Sequence, residues 1–478
     1  MQKIQIIEKV LNDFLLQLLR ALSPNDLPRL RKFLQSPYFN RREDVLLLYD
    51  YLLECRPADF QHVDKQLAFV RLFPGEAYDN RRLNHIFSYL AQLVERYFAL
   101  EEIQSDEALV QLRQCRALRR RGVAQLFERR LKQAEQQHRN NPYRNAEYYL
   151  HEYGLLTERF AWEAMRTRNA HALAPDAGAA LANFFMLENL RWACTVESAR
   201  AVSAAGASYR LPLSNAVLEA AAELPEADMP ALALLHQSLL ALRDNADEQQ
   251  FFKLHELLLR HVHLLPPPEA RDVFMSAINF AIRRHNRGEA AYTRLALELY
   301  RAALERGVLA DEGRLPRYTF INIFNLAQLA GDTAWAQVFI EDYRYLLPEA
   351  DRENIHRYCE AGLHFRQGNY SRVLELLREV EFTEVFINLD VRKMLLRSYF
   401  ELEEWAALHS LLDSFRSYLR RQKDLGYHRE GYLSLIRFTK KLMRIGGRTS
   451  ATNKQLATQI RAVQFVAERD WLLRKLEG

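Results

Sequence analysis

Three short stretches with polar centres each interrupt a long apolar segment of this chain: LAGDTAW (residues 329–335), FRQGNYS (365–371) and ELEEWAA (401–407). Aligning Asp332, Asn369 and Glu404 gives steps of 37 and 35 residues, and each stretch separates two segments with helical periodicity. A period of roughly 34 residues is typical of helix-turn-helix repeats, in which a helix pair buries its apolar face only by stacking on its neighbours. The sequence therefore predicts stacked helix pairs over residues 318–421.

Individual positions in these pairs resemble the tetratricopeptide repeat. Ala336 and Ala361 are small where two helices are expected to touch, Tyr399 is aromatic late in a first helix, and Pro348 closes a unit. Five other positions depart from the pattern: Phe324, His364, Val385, Leu396 and Arg420. The resemblance covers about 100 residues. It implies an all-α protein with a right-handed superhelix, in which the first helix of each unit lines a concave face.

On this resemblance, seven side chains are expected to line a protein-binding groove: Tyr318, Asn325, Gln328, Tyr358, Phe365, Lys393 and Arg397. Ile321, Ile355 and Phe400 occupy related positions, and we expect them to be packing residues. Polar groups on an inward face need partners, which favours Asn325 and Gln328 as contacts. Lys393 and Arg397 lie four residues apart and are expected to clamp a carboxylate or a phosphate together.

Residues 1–104 predict an N-terminal helical domain. Ile4, Ile7 and Leu11 begin an amphipathic helix, and four further apolar segments follow. Two turns, at residues 36–40 and 73–78, resemble segments of an uncharacterised protein family of Bacteroidota, whose members combine such a domain with helical repeats. That family implies no activity. Aromatic side chains that plug the ends of a helical bundle explain both turns, and peptide recognition by Tyr38 and Phe39 is the alternative.

Residues 105–205 are expected to be a basic and aromatic-rich helical region. Between positions 113 and 144 there are ten basic side chains and two acidic ones. An apolar side is also present, which predicts a basic amphipathic helix or a helix pair hinged at Gly122. Arg113, Arg116 and Arg120 share one helical stripe that can follow a phosphate backbone. The first interpretation is nevertheless a solvated or internally paired face, and the alternatives are binding to nucleic acid or an acidic protein partner and binding to a membrane surface.

Degenerate helix pairs are expected over residues 206–421, followed by basic capping helices over 422–478. A break is expected at Gly446 and Gly447, and an apolar stripe from Leu456 to Ala467 predicts one last helix there. The basic tail adds three side chains to the candidate phosphate contacts. The full set is Arg113, Arg116, Arg120, Arg130, Arg437, Lys441 and Arg444.

Composition and motifs narrow the classes of function. The chain has 478 residues, 49% of them hydrophobic, and no apolar run of about 18 residues, so no membrane span is expected. Four scattered cysteines are typical of reduced thiols in a cytoplasmic protein. No phosphate-binding loop, dinucleotide fingerprint or nucleophile elbow occurs. The helical spacing of His255, His261 and His263 does not direct them at one ion, so neither a metal nor a cofactor is expected.

Three kinds of function are compatible with these patterns. The predicted function is a non-catalytic scaffold that binds an unknown protein in the groove of its repeats. The first alternative is a nucleic-acid-associated protein that uses the basic helices at 113–144 and 437–454, for which binding would fall steeply with salt. The second is an enzyme whose site is built from residues remote in sequence, which a pocket with convergent, pKa-shifted groups would indicate.

Overall fold

A computed structural model gives the fold of the chain. It describes residues 14–168, 170–202, 208–243, 248–378, 380, 382, 384–422, 425–445 and 450–477. The chain is 79% helical and the described residues form no strand, which confirms the predicted all-α class. No helix within these ranges is both long enough and apolar enough to cross a membrane. The predictions made for residues 4–11 and for Gly446 and Gly447 lie outside the described residues.

The chain divides into two compact units, Met1–Phe185 and Met186–Gly478. The first unit begins with helices α1 (residues 14–21), α2 (Asp26–Gln35), α3 (Glu43–Cys55), α4 (Lys65–Leu72) and α5 (Asn80–Ser105). The side chains of Asp64 and Asp79 accept hydrogen bonds from free backbone N–H groups at the starts of α4 and α5. One apolar core joins the five helices. Phe39 stacks on Phe33 with 4.3 Å between ring centroids, whereas Tyr38 is largely exposed.

The basic segment of the first unit forms two helices and not one. We call α6 (Glu107–Arg120), α7 (Ala124–Asn140) and α8 (Ala146–Glu163) the basic bundle. Gly122 adopts a φ of 69° in the turn between α6 and α7, a conformation that favours glycine. Pro175 and Gly178 predict a break between two helices at residues 174–178, and this prediction is wrong, because helix α9 (Ala174–Val202) begins there. Pro175 is tolerated since the first turn of a helix does not use its missing N–H.

The second unit continues with fourteen helices among its described residues. They are α10 (Ser214–Glu223), α11 (Pro230–Leu242), α12 (Glu248–His261), α13 (Pro267–Asn286), α14 (Ala291–Glu305), α15 (Arg317–Leu329), α16 (Thr333–Asp342), α17 (Glu349–Gln367), α18 (Tyr370–Leu377), α19 (Val385–Glu401), α20 (Trp405–Arg421), α21 (Gly426–Ile445), α22 (Ser450–Ala462) and α23 (Arg469–Glu477). Consecutive helices pack in pairs from α11–α12 to α19–α20, and α15 contacts α17, which in turn contacts α19. The first helices of the last three pairs are therefore neighbours in order.

All three predicted turns lie between paired helices and share one backbone feature. Gly331, Gly368 and Glu403 have φ values of 79°, 79° and 59°, at corresponding points of the three turns. This left-handed conformation ends a helix by satisfying its last carbonyls. Phe324, which departs from the tetratricopeptide pattern, is accommodated by Gly362 on the neighbouring helix. A Cβ atom at Gly362 would lie only 3.0 Å from Cε1 of Phe324.

The C-terminal helices α21, α22 and α23 share a core with α19 and α20. The prediction of one last helix through Ala467 is wrong, because α22 ends at Ala462 and a turn at residues 463–468 leads into α23. Tertiary contacts hold this turn. The N–H of Ala467 donates to the carbonyl of Gly431 at 3.1 Å, and Nε1 of Trp471 donates to Glu401 at 2.6 Å. The turn thereby directs Glu468 toward α19.

Candidate functional site

A groove of about 770 Å³ lies along α15, α17 and α19 in the second unit. All seven side chains predicted from the repeat resemblance line it: Tyr318, Asn325, Gln328, Tyr358, Phe365, Lys393 and Arg397. Ile321 also lines the groove. Ile355 is buried, and Phe400 packs edge-to-face against Trp471 with 5.2 Å between ring centroids. The C-terminal part of the chain adds Tyr432 from α21, Glu468 from the turn before α23 and Arg474 from α23 to the lining.

The lining of the groove includes large apolar side chains that remain in contact with solvent. Tyr318, Leu329 and Phe386 are each more than half exposed. Asn322 and Asn325 are exposed on α15 between Tyr318 and Leu329. Exposed apolar groups next to polar ones are typical of surfaces that bind another molecule.

Gln328 contributes an unusual polar group to the same groove. The residue is only 3% exposed, and neither its Nε2 nor its Oε1 has a hydrogen-bond partner. A buried polar atom without a partner costs about 1–3 kcal/mol, so such atoms are rare and call for an explanation. The carboxamide of Gln328 has unused acceptor and donor capacity, but neighbouring atoms cover both polar groups, so a ligand in the groove reaches them only if the side chain turns toward it.

Lys393 and Arg397 form a cationic clamp at the α19 wall of the groove. Nη1 of Arg397 lies 3.2 Å from a carboxylate oxygen of Glu468, and Nζ of Lys393 lies 3.9 Å from the other. Lys393 also pairs with Asp390, which accepts a hydrogen bond from the Tyr358 hydroxyl at 2.6 Å. The two cations thus hold a carboxylate, and that carboxylate belongs to the same chain.

Lys393 carries a positive charge near neutral pH. Burial by itself lowers the pKa of Lys393, but the carboxylates of Asp390 and Glu468 more than offset this effect, and the pKa lies above its ordinary value. Burial, reinforced by Asp390, raises the pKa of Tyr358 well above its usual range. Lys393 therefore stays charged, and Tyr358 stays protonated as a donor to Asp390.

Sequence reasoning missed the contribution of the C-terminal helices, and above all Glu468. The apolar stripe through Ala467 obscured the turn, which contains neither glycine nor proline. One signal was present, since Asp470 lies in the first turn of α23, where an acidic residue is favoured. Phe386 was also missed because it lies at the start of α19, outside the positions that the resemblance identifies.

The predicted phosphate-binding stripe of the basic bundle is only partly available. Arg113 and Arg120 are exposed, but Nε of Arg116 donates to Glu158 at 2.6 Å, and Arg119 donates to the other oxygen of Glu158 at 2.7 Å. Glu158 itself is 2% exposed. Arg130 donates to Gln133 at 3.1 Å.

The basic residues of α21 are also divided between solvent and internal contacts. Arg437 and Arg444 are exposed, and the guanidinium of Arg437 lies 4.6 Å from the ring centroid of Phe438. Nζ of Lys441 donates to Gln459 at 2.6 Å, and Lys440 pairs with Asp413 at 2.7 Å. The structure therefore does not bring these cations together as one stripe of free charges.

Of the three histidines that were weighed as metal ligands, His261 pairs with a carboxylate from another part of the chain. Nε2 of His261 lies 2.8 Å from a carboxylate oxygen of Glu226, which also pairs with Arg260. Within the part of the chain that the structure describes, no three His, Cys, Asp or Glu side chains converge as metal ligands would.

Comparisons with known proteins identified no relative of this chain. No protein-family model matches the sequence, and no significant similarity was found to a curated protein or to a solved structure. The function must therefore be inferred from the geometry of the groove.

Proposed function

We propose that this protein is a non-catalytic scaffold that binds an extended segment of a partner protein in the groove along α15, α17 and α19. The observation that carries the proposal is the carboxamide of Gln328, which is buried in the groove with both polar atoms unbonded. A peptide group offers one carbonyl and one N–H, which are the complements of that carboxamide. A bound peptide backbone that the Gln328 side chain turned to meet would therefore remove an energetic penalty that the free protein carries.

The spacing of polar groups on α15 supports an extended ligand. Asn322 and Asn325 are three residues apart and both exposed, so they offer two carboxamides on one side of α15. An extended chain leaves its own peptide groups free to bond with such side chains. Tyr318, Leu329 and Phe386 would hold apolar side chains of the partner beside the backbone contacts.

The arrangement of the helix pairs supports a repeat architecture for the same region. Three pairs with corresponding left-handed turns, and with neighbouring first helices, are what a tetratricopeptide-like superhelix requires. In such a superhelix the first helices α15, α17 and α19 form the concave wall, and one linear segment can contact all three.

The proposal is tested with peptides selected from a random library by the full-length protein. Their affinities are then measured by fluorescence polarisation for the wild type and for Gln328→Leu, Phe386→Ala and Phe252→Ala. Phe252 is the control because it is exposed to a similar extent on α12, away from the groove. We expect each groove variant to weaken binding about tenfold, the equivalent of one lost hydrogen bond or apolar contact.

The control variant should bind the selected peptides as the wild type does. Equal binding by all four proteins, or failure of the library to yield any peptide, would contradict a peptide-binding groove. Circular dichroism of each variant would establish that its helices are intact.

A further inference from the structure

Glu468 occupies the position in the groove that an acidic group of a partner would be expected to take. Its carboxylate faces both cations of the clamp, and the three side chains line the same groove as Gln328. Glu468 approaches from the turn at residues 463–468 and not from the helices that build the groove wall. The carboxylate is therefore a tethered group that projects into a site formed by other helices.

The contacts of Glu468 are weaker than the clamp permits. Charge-assisted hydrogen bonds between nitrogen and oxygen are usually about 2.7–2.9 Å long. The two contacts of Glu468 measure 3.2 and 3.9 Å. Glu468 also adopts a φ of 52°, a left-handed conformation that is unfavourable for any residue with a Cβ.

The clamp has donor capacity that Glu468 does not use. Arg397 directs Nη1 at Glu468 and Nη2 at the hydroxyl of Tyr370, at 3.1 Å, while its buried Nε has no partner. The guanidinium is fixed over the ring of Phe365, with 4.8 Å to the centroid. A planar carboxylate supplied from the groove could engage Nη1 and Nη2 together, which is a bidentate geometry that arginine favours, by displacing the Tyr370 hydroxyl from Nη2.

We propose that the segment bound in the groove carries a carboxylate that replaces Glu468 in the clamp, so that Glu468 is a built-in competitor for acidic partner segments. This inference rests on the proposed peptide-binding function. Lys393 keeps Asp390 as a counter-charge when Glu468 leaves, but the side chain of Arg397 is only 18% exposed, so losing the carboxylate that it contacts is unfavourable. The clamp therefore releases Glu468 only in exchange for another anion.

The competition has a measurable consequence for affinity. A tethered group acts at an effective concentration on the order of millimolar or higher, and a ligand must overcome it before it can bind. Removing the charge of Glu468 should therefore strengthen binding of acidic segments selectively. Neutral segments, which do not engage the clamp, should bind the altered protein as they bind the wild type.

The test uses random decapeptides with acetylated N-termini and amidated C-termini, so that the terminal charges are absent. One central position is fixed as Glu, Gln or phosphoserine, and capture by the immobilised full-length protein is quantified by mass spectrometry. The proteins compared are the wild type, Glu468→Gln, Glu403→Gln, Arg397→Gln and Gln328→Leu. Glu403→Gln is the matched control, because Glu403 is also a glutamate in a left-handed turn but does not line the groove.

We expect Glu468→Gln to capture Glu-containing peptides about tenfold more tightly than the wild type, with little change for Gln-containing ones. Glu403→Gln should match the wild type, and Arg397→Gln should lose the preference for Glu over Gln. Because Arg397→Gln removes a donor that contacts the ligand directly, it tests the clamp even if Glu468→Gln folds poorly.

Two results overturn the inference while leaving the proposed function intact. In the first, peptides are captured in a manner sensitive to Gln328→Leu, but Glu468→Gln produces no gain for Glu-containing peptides. In the second, phosphoserine is preferred over Glu by the wild type and by Glu468→Gln, which would assign the clamp to phosphate. Capture that is insensitive to Gln328→Leu in every library would overturn the proposed function, and the inference with it.

Discussion

The basic bundle of the first unit and the groove of the second differ in how closely a glutamate is held by two basic side chains. In the basic bundle, one buried carboxylate, Glu158, neutralises Arg116 and Arg119 at 2.6 and 2.7 Å. In the groove, Gln328 has no partner, and the clamp holds Glu468 at longer distances. Charge counted along a sequence therefore overstates the charge that is free to bind a partner. Polar groups that the fold leaves unsatisfied are the better guide to function.

The ion pairs of the basic bundle are internal to its structure. Burial by itself raises the pKa of Glu158, but the guanidinium groups of Arg119 and Arg116 more than reverse this effect, and the pKa lies below its usual range. The carboxylate is thus charged at neutral pH and bonded on both oxygens.

The largest effect is expected at the buried carboxylate of the bundle. Glu158→Gln leaves two arginines facing a neutral amide, and we expect the free energy of unfolding of the first unit to fall by roughly 3 kcal/mol. Urea titration followed by hydrogen exchange of peptides from α6 and α8 measures this loss. Glu128→Gln removes an exposed pair with Arg166 and should cost less than about 1 kcal/mol. Equal losses in the two variants would mean that the buried pair is not structural.

A smaller loss of stability is expected in the same bundle when the pH is lowered. His138 and His151 face each other with 3.2 Å between their Nδ1 atoms, and burial, with charge from His151, lowers the pKa of His138 to about 4. Because an unfolded histidine titrates near pH 6.5, the unfolded chain binds more protons between pH 6.5 and pH 4. The first unit should lose roughly 2 kcal/mol of stability as the pH falls through this window.

Hydrogen exchange of α7 and α8 peptides between pH 7 and pH 4.5, corrected for the intrinsic exchange rate, measures this loss. His138→Gln removes the titrating group and should flatten the dependence. An unchanged slope in that variant would show that other groups control the acid response of the bundle.

The smallest change in stability is expected at Gln328 in the groove, and a second buried glutamine, Gln237 on α11, allows a direct comparison. Nε2 of Gln237 donates to the carbonyl of Gln250 at 2.9 Å and to its side chain at 2.6 Å, whereas Gln328 has no partner. Gln237→Leu should destabilise the second unit by about 1 kcal/mol or more, and Gln328→Leu should be neutral or stabilising by a similar amount. Thermal unfolding by calorimetry compares the two. A larger loss for Gln328→Leu would mean that its carboxamide is structural.

Much of the fold was predictable because its causes are local. The three turns follow from the spacing of Gly331, Gly368 and Glu403, and the helices between them from apolar periodicity. The seven groove residues could be identified because a repeat places equivalent positions on one side of successive helices. The turn before α23 was missed because it is held by Gly431 and Glu401, which are remote in sequence.

The sequence by itself determined the helices, the turns and the side of each helix that faces its neighbour. These features depend on residues only a few positions apart, which set helical periodicity and turn conformation. The partners of the charged groups required the folded chain. Glu158 is 42 residues from Arg116, and Glu468 is 71 residues from Arg397, and no local pattern relates such pairs. Folding therefore paired part of one basic segment with the buried carboxylate of Glu158, and it placed Glu468, from the turn before α23, in the groove along α15, α17 and α19.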